Sequence, residues 1–84
     1  MLTPLSQPDL SQLRHIFQSY KHKSGYTYDD LARVTGLARQ TLVNINSGNF
    51  FGDLRTWLLL SRAFETTLDE MFAAVWVAPP VETD

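Results

Sequence analysis

Gly25, Gly36 and Gly48 divide the first half of this sequence into short segments. Each segment carries apolar residues at the three- and four-residue spacing that is typical of an amphipathic helix. Because glycine has no Cβ, it readily adopts the left-handed conformation in which many helices end. The sequence therefore predicts an all-α fold whose first helices are short and are joined by tight turns.

The first helix is predicted over residues 7–23. Ser6 and Asp9 have the spacing of a capping box, in which two side chains satisfy backbone N–H groups at a helix start. Pro8 is compatible with a first helical turn, where its missing N–H costs nothing. The apolar stripe expected to face the core consists of Leu10, Leu13, Phe17 and Tyr20.

The second helix is predicted over residues 28–35. Thr27 and Asp30 repeat the capping-box spacing at its start, and Gly36 follows its last residue. These signals predict a tight turn between this helix and the next.

The third helix is predicted to begin at Arg39. Leu42 and Ile45 lie three residues apart and share its inward face. The side chains left on its outward face are Arg39, Gln40, Val43 and Asn44.

Two further helices are predicted in the second half. Asp53 is a suitable N-cap for a fourth helix, and Thr67 can cap a fifth helix that begins at Leu68. The inward face of the last helix is expected to continue through Met71, Phe72, Val75 and Trp76. The consecutive prolines 79 and 80 cannot extend a helix, so we expect one domain over residues 1–78 and a frayed tail over 79–84.

Packing must supply the stability of this domain. The chain has 84 residues and no cysteine, so neither a disulfide framework nor a thiolate zinc site can supplement its core. Its 44% apolar and 19% charged residues are a globular balance. No apolar run approaches the roughly 20 residues of a membrane span, and the start lacks the pattern of a signal peptide. We therefore expect a cytoplasmic protein.

The charges are distributed unevenly along the chain. The net charge is −2, but residues 1–49 carry five basic residues against three acidic ones. Residues 50–84 carry two basic residues against six carboxylates. Such asymmetry can orient a protein on a polyanion, although few basic residues contribute here.

The glycine turn and the sequence segments on either side of it resemble those of a known family. The stretch TYDDLARVTGLARQTL, residues 27–42, resembles helix 2, the turn and helix 3 of the Cro/repressor family of helix-turn-helix DNA-binding proteins. Residues 44–48, NINSG, resemble the exit from its helix 3. Residues 53–64 and 67–72 resemble its helix 4 and the opening of its helix 5, so the match covers about residues 13–72. The resemblance implies a compact five-helix, lambda-repressor-like domain.

The resemblance also implies a function. Members of this family are sequence-specific transcriptional regulators, often repressors encoded by bacteria, phages or plasmids, and place helix 3 in the major groove of operator DNA. The matching positions imply base contacts from Arg39, Gln40, Val43 and Asn44. Phosphate contacts are implied for Lys21, Tyr28, Thr41, Ser47, Asn49 and Arg55, together with the backbone N–H groups that open helix 2. No cofactor or metal is implied.

A dimer is expected, because a two-fold pair of such domains reads two half-sites about 34 Å apart in a palindromic operator. The position of the interface does not follow from the resemblance. Candidate interface residues are Leu59, Val75, Trp76 and Val77, with the aromatic pair Phe50 and Phe51 as a further candidate.

Four positions depart from the family pattern. Ala38 stands where a serine or threonine usually caps helix 3, and Glu65 stands where a glycine often closes helix 4. Lys21 and Asn46 replace an arginine and a glutamate that pair between helices 1 and 3 in many relatives. A neutral hydrogen bond is expected to replace that ion pair.

An enzyme is a poor alternative. His15 and His22 lie among polar residues of helix 1 and are expected to be solvated rather than to bind a metal. The pairs Asp29-Asp30 and Asp69-Glu70 occupy first helical turns, where carboxylates favour the helix dipole without any catalytic role.

A protein-binding role is the stronger alternative. Antitoxins of toxin–antitoxin pairs resemble the same domain and add a tail that binds a toxin. Residues 73–84 are the candidate for such a tail. This role is compatible with simultaneous DNA binding.

Overall fold

Five α-helices and two short 3-10 turns form the part of the chain that the computed structural model describes, residues 7–76. No strand occurs in this range. The helices are α1 Leu13–Ser24, α2 Tyr28–Thr35, α3 Arg39–Ser47, α4 Leu54–Ala63 and α5 Leu68–Phe72. The 3-10 turns are Leu10–Gln12 and Ala73–Val75. The predicted all-α, five-helix fold is confirmed.

Capping residues set the starts of the later helices as the sequence predicts. The Thr27 hydroxyl accepts from the Asp30 N–H and the Asp30 carboxylate accepts from the Thr27 N–H, both at 3.0 Å. Asp53 accepts from the Thr56 N–H at 2.8 Å before α4, and Thr67 accepts from the Glu70 N–H at 3.2 Å before α5.

The start of the first helix differs from the prediction. Ser6 lies outside the described residues, and α1 begins at Leu13 rather than at residue 7. Asp9 is extended and caps the first 3-10 turn by accepting from the Ser11 N–H at 3.1 Å. Its own N–H donates to the Val75 carbonyl at 2.9 Å, which ties the start of the domain to its end. The extended backbone of Asp9, with φ −98° and ψ 97°, excludes this residue from a helix.

The core lies where all five helices meet. Its completely or almost completely buried side chains are Phe17, Leu31, Leu42, Ile45, Leu60 and Met71. Phe64 closes one side, and its ring lies 5.6 Å from that of Tyr20 and 6.4 Å from that of Tyr26. Trp57 and Phe72 pack edge to face on the other side, with ring centroids 5.3 Å apart.

The last helical segment corrects one expectation. Trp76, expected to point inward, is 56% exposed, because the chain leaves α5 through a 3-10 turn and the helical periodicity is lost. Of the other interface candidates, Val75 is buried in the monomer core and Leu59 is half-buried against it. Val77 lies outside the described residues.

An apolar face of α4 is not covered within the monomer. Leu54 is 66% exposed and Leu58 is 47% exposed, although both belong to the broadly apolar pattern of this helix. Residues four apart lie on the same side of a helix, so these two leucines form one exposed stripe.

Glu65 generates a stability prediction. Among the described residues it is the non-glycine residue with a positive φ, 57°, and it follows α4 in the position that a glycine often takes. Glu65→Gly should raise the free energy of unfolding by about 0.5–1 kcal/mol, because relief of the left-handed strain exceeds the added freedom of the unfolded chain.

Urea unfolding followed by circular dichroism measures this change. Glu65→Ala is the matched control, because it removes the charge but keeps the Cβ. A gain of the same size in the alanine variant would show that charge, rather than backbone conformation, is responsible.

Candidate DNA-binding surface

The turn between α2 and α3 is built around Thr35 and Gly36. Thr35 is buried; its hydroxyl donates to the Leu31 carbonyl at 2.6 Å and accepts from the Leu37 N–H at 3.1 Å. Gly36 takes a φ of 76° and donates its N–H to the Ala32 carbonyl at 2.9 Å. These bonds join the end of α2 to the start of the turn and fix the direction in which α3 leaves it.

Sequence reasoning did not single out Thr35. A threonine at the last helical position, directly before a glycine, can bond back to the carbonyl four residues earlier. That spacing therefore predicts a hydroxyl that bonds to the backbone of the turn.

The outward face of α3 carries the predicted base-reading residues. Leu42 and Ile45 are fully buried, as predicted, whereas Arg39 and Gln40 are exposed. Val43 and Asn44 on the same face are half-buried. Gln40 Nε2 donates to Asn44 Oδ1 at 3.1 Å, so the two amides form a pair one helical turn apart.

Three of the predicted contact residues cluster at the start of α3. The Lys21 ammonium lies 4.6 Å from the centre of the Tyr28 ring, and the Arg39 guanidinium carbon lies 5.4 Å from the same centre. Arg39 Nε also lies 3.2 Å from Asp29 Oδ1. Residues from α1, α2 and α3 therefore form one surface with two cations around a single aromatic ring.

The N-terminus of α2 lies beside this cluster, but its capping box already uses two N–H groups. The hydrogen bond from the Thr27 backbone N–H, with the Arg33 guanidinium 2.9 Å away, holds the pKa of Asp30 below its usual value. Asp30 is therefore ionised at neutral pH. The backbone N–H groups that keep no helical or capping partner at this end are those of Tyr28 and Asp29.

A second group of predicted contacts lies at the other end of α3. Ser47 is the last residue of this helix, Asn49 follows its glycine cap, and Arg55 lies in the first turn of α4; all three are exposed. The Asn44 carbonyl accepts from the Asn49 N–H at 2.9 Å and from the Ser47 hydroxyl at 3.1 Å, which orders this corner. Thr41 lies between the two groups and is half-buried.

A neutral hydrogen bond joins α1 to α3, but Lys21, from which the sequence predicted it, is not its donor. Its donor is Gln18 Nε2, which bonds to the Asn46 carbonyl at 2.9 Å. Lys21 instead faces the Tyr28 ring. The sequence alone did not identify Gln18, because that contact depends on how the two helices cross.

The histidines and carboxylates that could act as metal ligands or catalytic groups do not lie together in the described part of the chain. No group of histidines and carboxylates between residues 7 and 76 could hold a metal ion. Asp29 faces Arg39, and Asp69 and Glu70 lie in the first turn of α5, as predicted. Across the same residues, every helix is too short or too polar to cross a bilayer.

Comparisons with known proteins agree with this architecture. The chain is 27% identical over 60 residues to a protein of Archaeoglobus fulgidus described as an uncharacterized HTH-type transcriptional regulator; these residues are 71% of this chain and 86% of the relative. No protein-family model matches the chain. No solved structure matches it either. This similarity and the all-α fold are consistent with a small helix-turn-helix domain.

Ala38 generates a stability prediction for α3. It occupies the N-cap of α3 in an extended conformation, with φ −66° and ψ 141°, and has no side-chain acceptor for the first N–H groups. Ala38→Ser should raise the free energy of unfolding by about 1 kcal/mol, because the hydroxyl can accept from one of them.

Chemical denaturation of both proteins measures the gain. Ala74→Ser is the control, because Ala74 is exposed but lies in a 3-10 turn rather than at an N-cap. Equal effects at the two positions would contradict the capping explanation.

Proposed function

We propose that this protein is a sequence-specific DNA-binding transcriptional repressor that inserts α3 into the major groove of a palindromic operator as a dimer. The observation that carries the proposal is the outward face of α3, on which Arg39, Gln40 and Asn44 lie together beside the Lys21–Tyr28 cluster. The similarity to a helix-turn-helix regulator supports the same conclusion.

The side chains of α3 have the chemistry that base reading requires. Arginine pairs with the O6 and N7 atoms of guanine, and glutamine or asparagine pairs with adenine. One N–H of the Gln40 amide donates to Asn44. Its carbonyl oxygen and its other N–H remain available as the acceptor and the donor that pair with adenine. Val43 adds an apolar group suited to a thymine methyl.

The proposed phosphate contacts flank this face. Lys21, Tyr28 and Thr41 lie toward the start of α3, and Ser47, Asn49 and Arg55 lie toward its end. A helix of nine residues spans about 12 Å between its first and last Cα atoms, so the two groups are well separated. Contacts on both sides of a reading face would fix its register on the duplex without reading sequence.

The dimer interface that we propose is an apolar groove away from α2 and α3. The groove has a volume of about 300 Å³ and is lined mainly by apolar side chains. Its exposed members are Leu10, Phe51, Leu54 and Trp76, and Leu58 extends it along α4. Asp53 at its edge uses its carboxylate to cap α4 through Thr56, which also lowers the pKa of Asp53.

A second copy of the chain is the occupant that suits this groove. Reading a palindrome requires a two-fold pair, and a groove that contributes no residue from the DNA-reading helices can be covered while both copies contact DNA. Exposed aromatic side chains such as Phe51 and Trp76 are enriched in protein interfaces.

An antitoxin or related partner-binding regulator is the second candidate. The same groove favours it, because an apolar helix of another protein would also fit there. The two candidates differ in oligomeric state: the repressor is a homodimer when purified alone, whereas a groove reserved for a partner leaves the isolated chain monomeric.

Arg39→Ala tests base reading. It should weaken binding to the preferred operator by about 1–3 kcal/mol and relax the preference at one base pair per half-site. Lys21→Ala should weaken all sequences about equally, because a phosphate contact carries no sequence information. The measurement is selection from a random duplex pool, followed by titrations at several salt concentrations.

Arg62→Ala is the matched control, because Arg62 is an exposed arginine in the last turn of α4. It should leave the selected sequence unchanged. An unaltered base preference in Arg39→Ala would refute the assignment of that side chain, and the absence of any enriched sequence with the native protein would refute sequence-specific binding.

Leu54→Glu tests the interface. The side chain is 66% exposed in the monomer, so the substitution should preserve the fold while placing a charge in the centre of the paired surface. We expect the native chain to sediment as a dimer and the variant as a monomer, with loss of the palindromic preference.

Val34→Glu is the control for that experiment, because Val34 is 55% exposed but lies in α2, outside the groove. It should remain dimeric. A Leu54→Glu variant that dimerises as tightly as the native chain would place the interface elsewhere, and a native chain that stays monomeric would favour the partner-binding candidate.

A further inference from the structure

Asp29 contacts the recognition helix from outside it. Its Oδ1 atom lies 3.2 Å from Nε of Arg39, and this ion pair joins the second residue of α2 to the first residue of α3. The side chain of Asp29 is 83% exposed and that of Arg39 is 60% exposed. The pair therefore lies on the surface that the proposed function turns toward DNA.

The atoms used in this pair leave the reading edge of Arg39 available. A guanidinium has five N–H donors, of which one is on Nε and four are on the two terminal nitrogens. Asp29 meets the Nε side. Recognition of guanine uses two parallel N–H groups of the guanidinium, and the terminal nitrogens supply such a pair.

A second contact restricts the same side chain. The Arg39 guanidinium carbon lies 5.4 Å from the centre of the Tyr28 ring, on the residue directly before Asp29. A carboxylate at one edge and an aromatic ring nearby together limit the rotamers of a long side chain. Side-chain freedom lost before binding is not lost again on binding, so such restriction favours the oriented contact.

We infer that Asp29 is a positioning residue for Arg39, which orients the guanidinium for a guanine contact and lowers the affinity for DNA of unrelated sequence. The second effect follows from its charge, because a carboxylate near the phosphate backbone is repelled whatever the sequence. The inference rests on the proposed function and adds a specificity-determining residue outside α3.

A helix-dipole role alone does not account for this arrangement. Asp69 occupies the same second position of α5, after the Thr67 cap, and has no cation within ion-pair distance among the described residues. Both carboxylates lie in a first helical turn, where a negative charge favours the helix dipole. Asp29 differs from Asp69 in holding Arg39.

Asp29→Asn tests the inference. Discrimination against a changed base pair at the position read by Arg39 should fall by about 3- to 10-fold, because the guanidinium loses its charged partner. Binding to a duplex of unrelated sequence should become tighter, because a negative charge is removed. Asp29→Glu keeps the charge and should restore most of the discrimination.

A double substitution separates positioning from a direct contact. If Asp29 acts through Arg39, adding Asp29→Asn to Arg39→Ala should not change the base preference any further. Asp69→Asn removes the same charge from the matched position of α5 and should leave the preference unchanged. Thermal melting of each variant reports whether the fold is intact.

The outcomes distinguish this inference from the proposed function. A native protein that enriches no sequence would overturn both. A native protein with a clear preference that Asp29→Asn retains in full would overturn the positioning role alone. A change in Asp29→Asn at a base pair other than the one altered in Arg39→Ala would also overturn it, since Asp29 would then contact that base itself.

Discussion

The burial of Leu42 and Ile45 is the interaction on which the rest of this surface depends. A helix of nine residues is not stable in water by itself, so α3 exists because its inward face packs against α1 and α2. Both side chains are completely buried, and the Gln18 bond to the Asn46 carbonyl adds a tie from α1. With its inner side held in this way, α3 can present polar side chains outward in one fixed orientation.

The local bonds around α3 determine which groups remain for a ligand. The capping box of α2 uses the N–H groups of Thr27 and Asp30, and the Asn44 carbonyl is saturated by the corner that follows α3. Arg39 and Gln40 each use one N–H donor in a contact with another side chain of the protein, and their other donors remain available to a ligand. Some hydrogen-bonding groups of this surface therefore have partners within the protein before any ligand binds. These bonds restrict the side chains, and they use few of the groups that a ligand could contact.

The parts of the fold that could be predicted from the sequence are those governed by local contacts. Thr27, Gly36, Asp53 and Thr67 act on backbone groups within three or four residues, so they predicted both ends of α2 and the starts of α4 and α5. The predicted start of α1 was wrong because Asp9 is extended and caps a 3-10 turn, in a position where its N–H bonds to Val75 from the other end of the described residues. The exposure of Trp76 was missed for a related reason: a 3-10 turn interrupts the period on which the inward face was predicted.

The same distinction applies to the candidate site. The outward position of Arg39 and Gln40 follows from helical spacing, but the pair between Asp29 and Arg39 depends on the angle at which the Thr35–Gly36 turn joins two helices. The apolar groove likewise could not be predicted from helical spacing, because the exposure of Leu54, Leu58 and Trp76 depends on how the helices pack in the monomer. The proposed base-reading residues lie on α3, beside Asp29 of α2, whereas the apolar groove is lined by residues of the segments 10–13, 51–57 and 72–76. Because neither Asp29 nor Arg39 lines the groove, a change in base preference through either residue need not disturb the pairing of two copies.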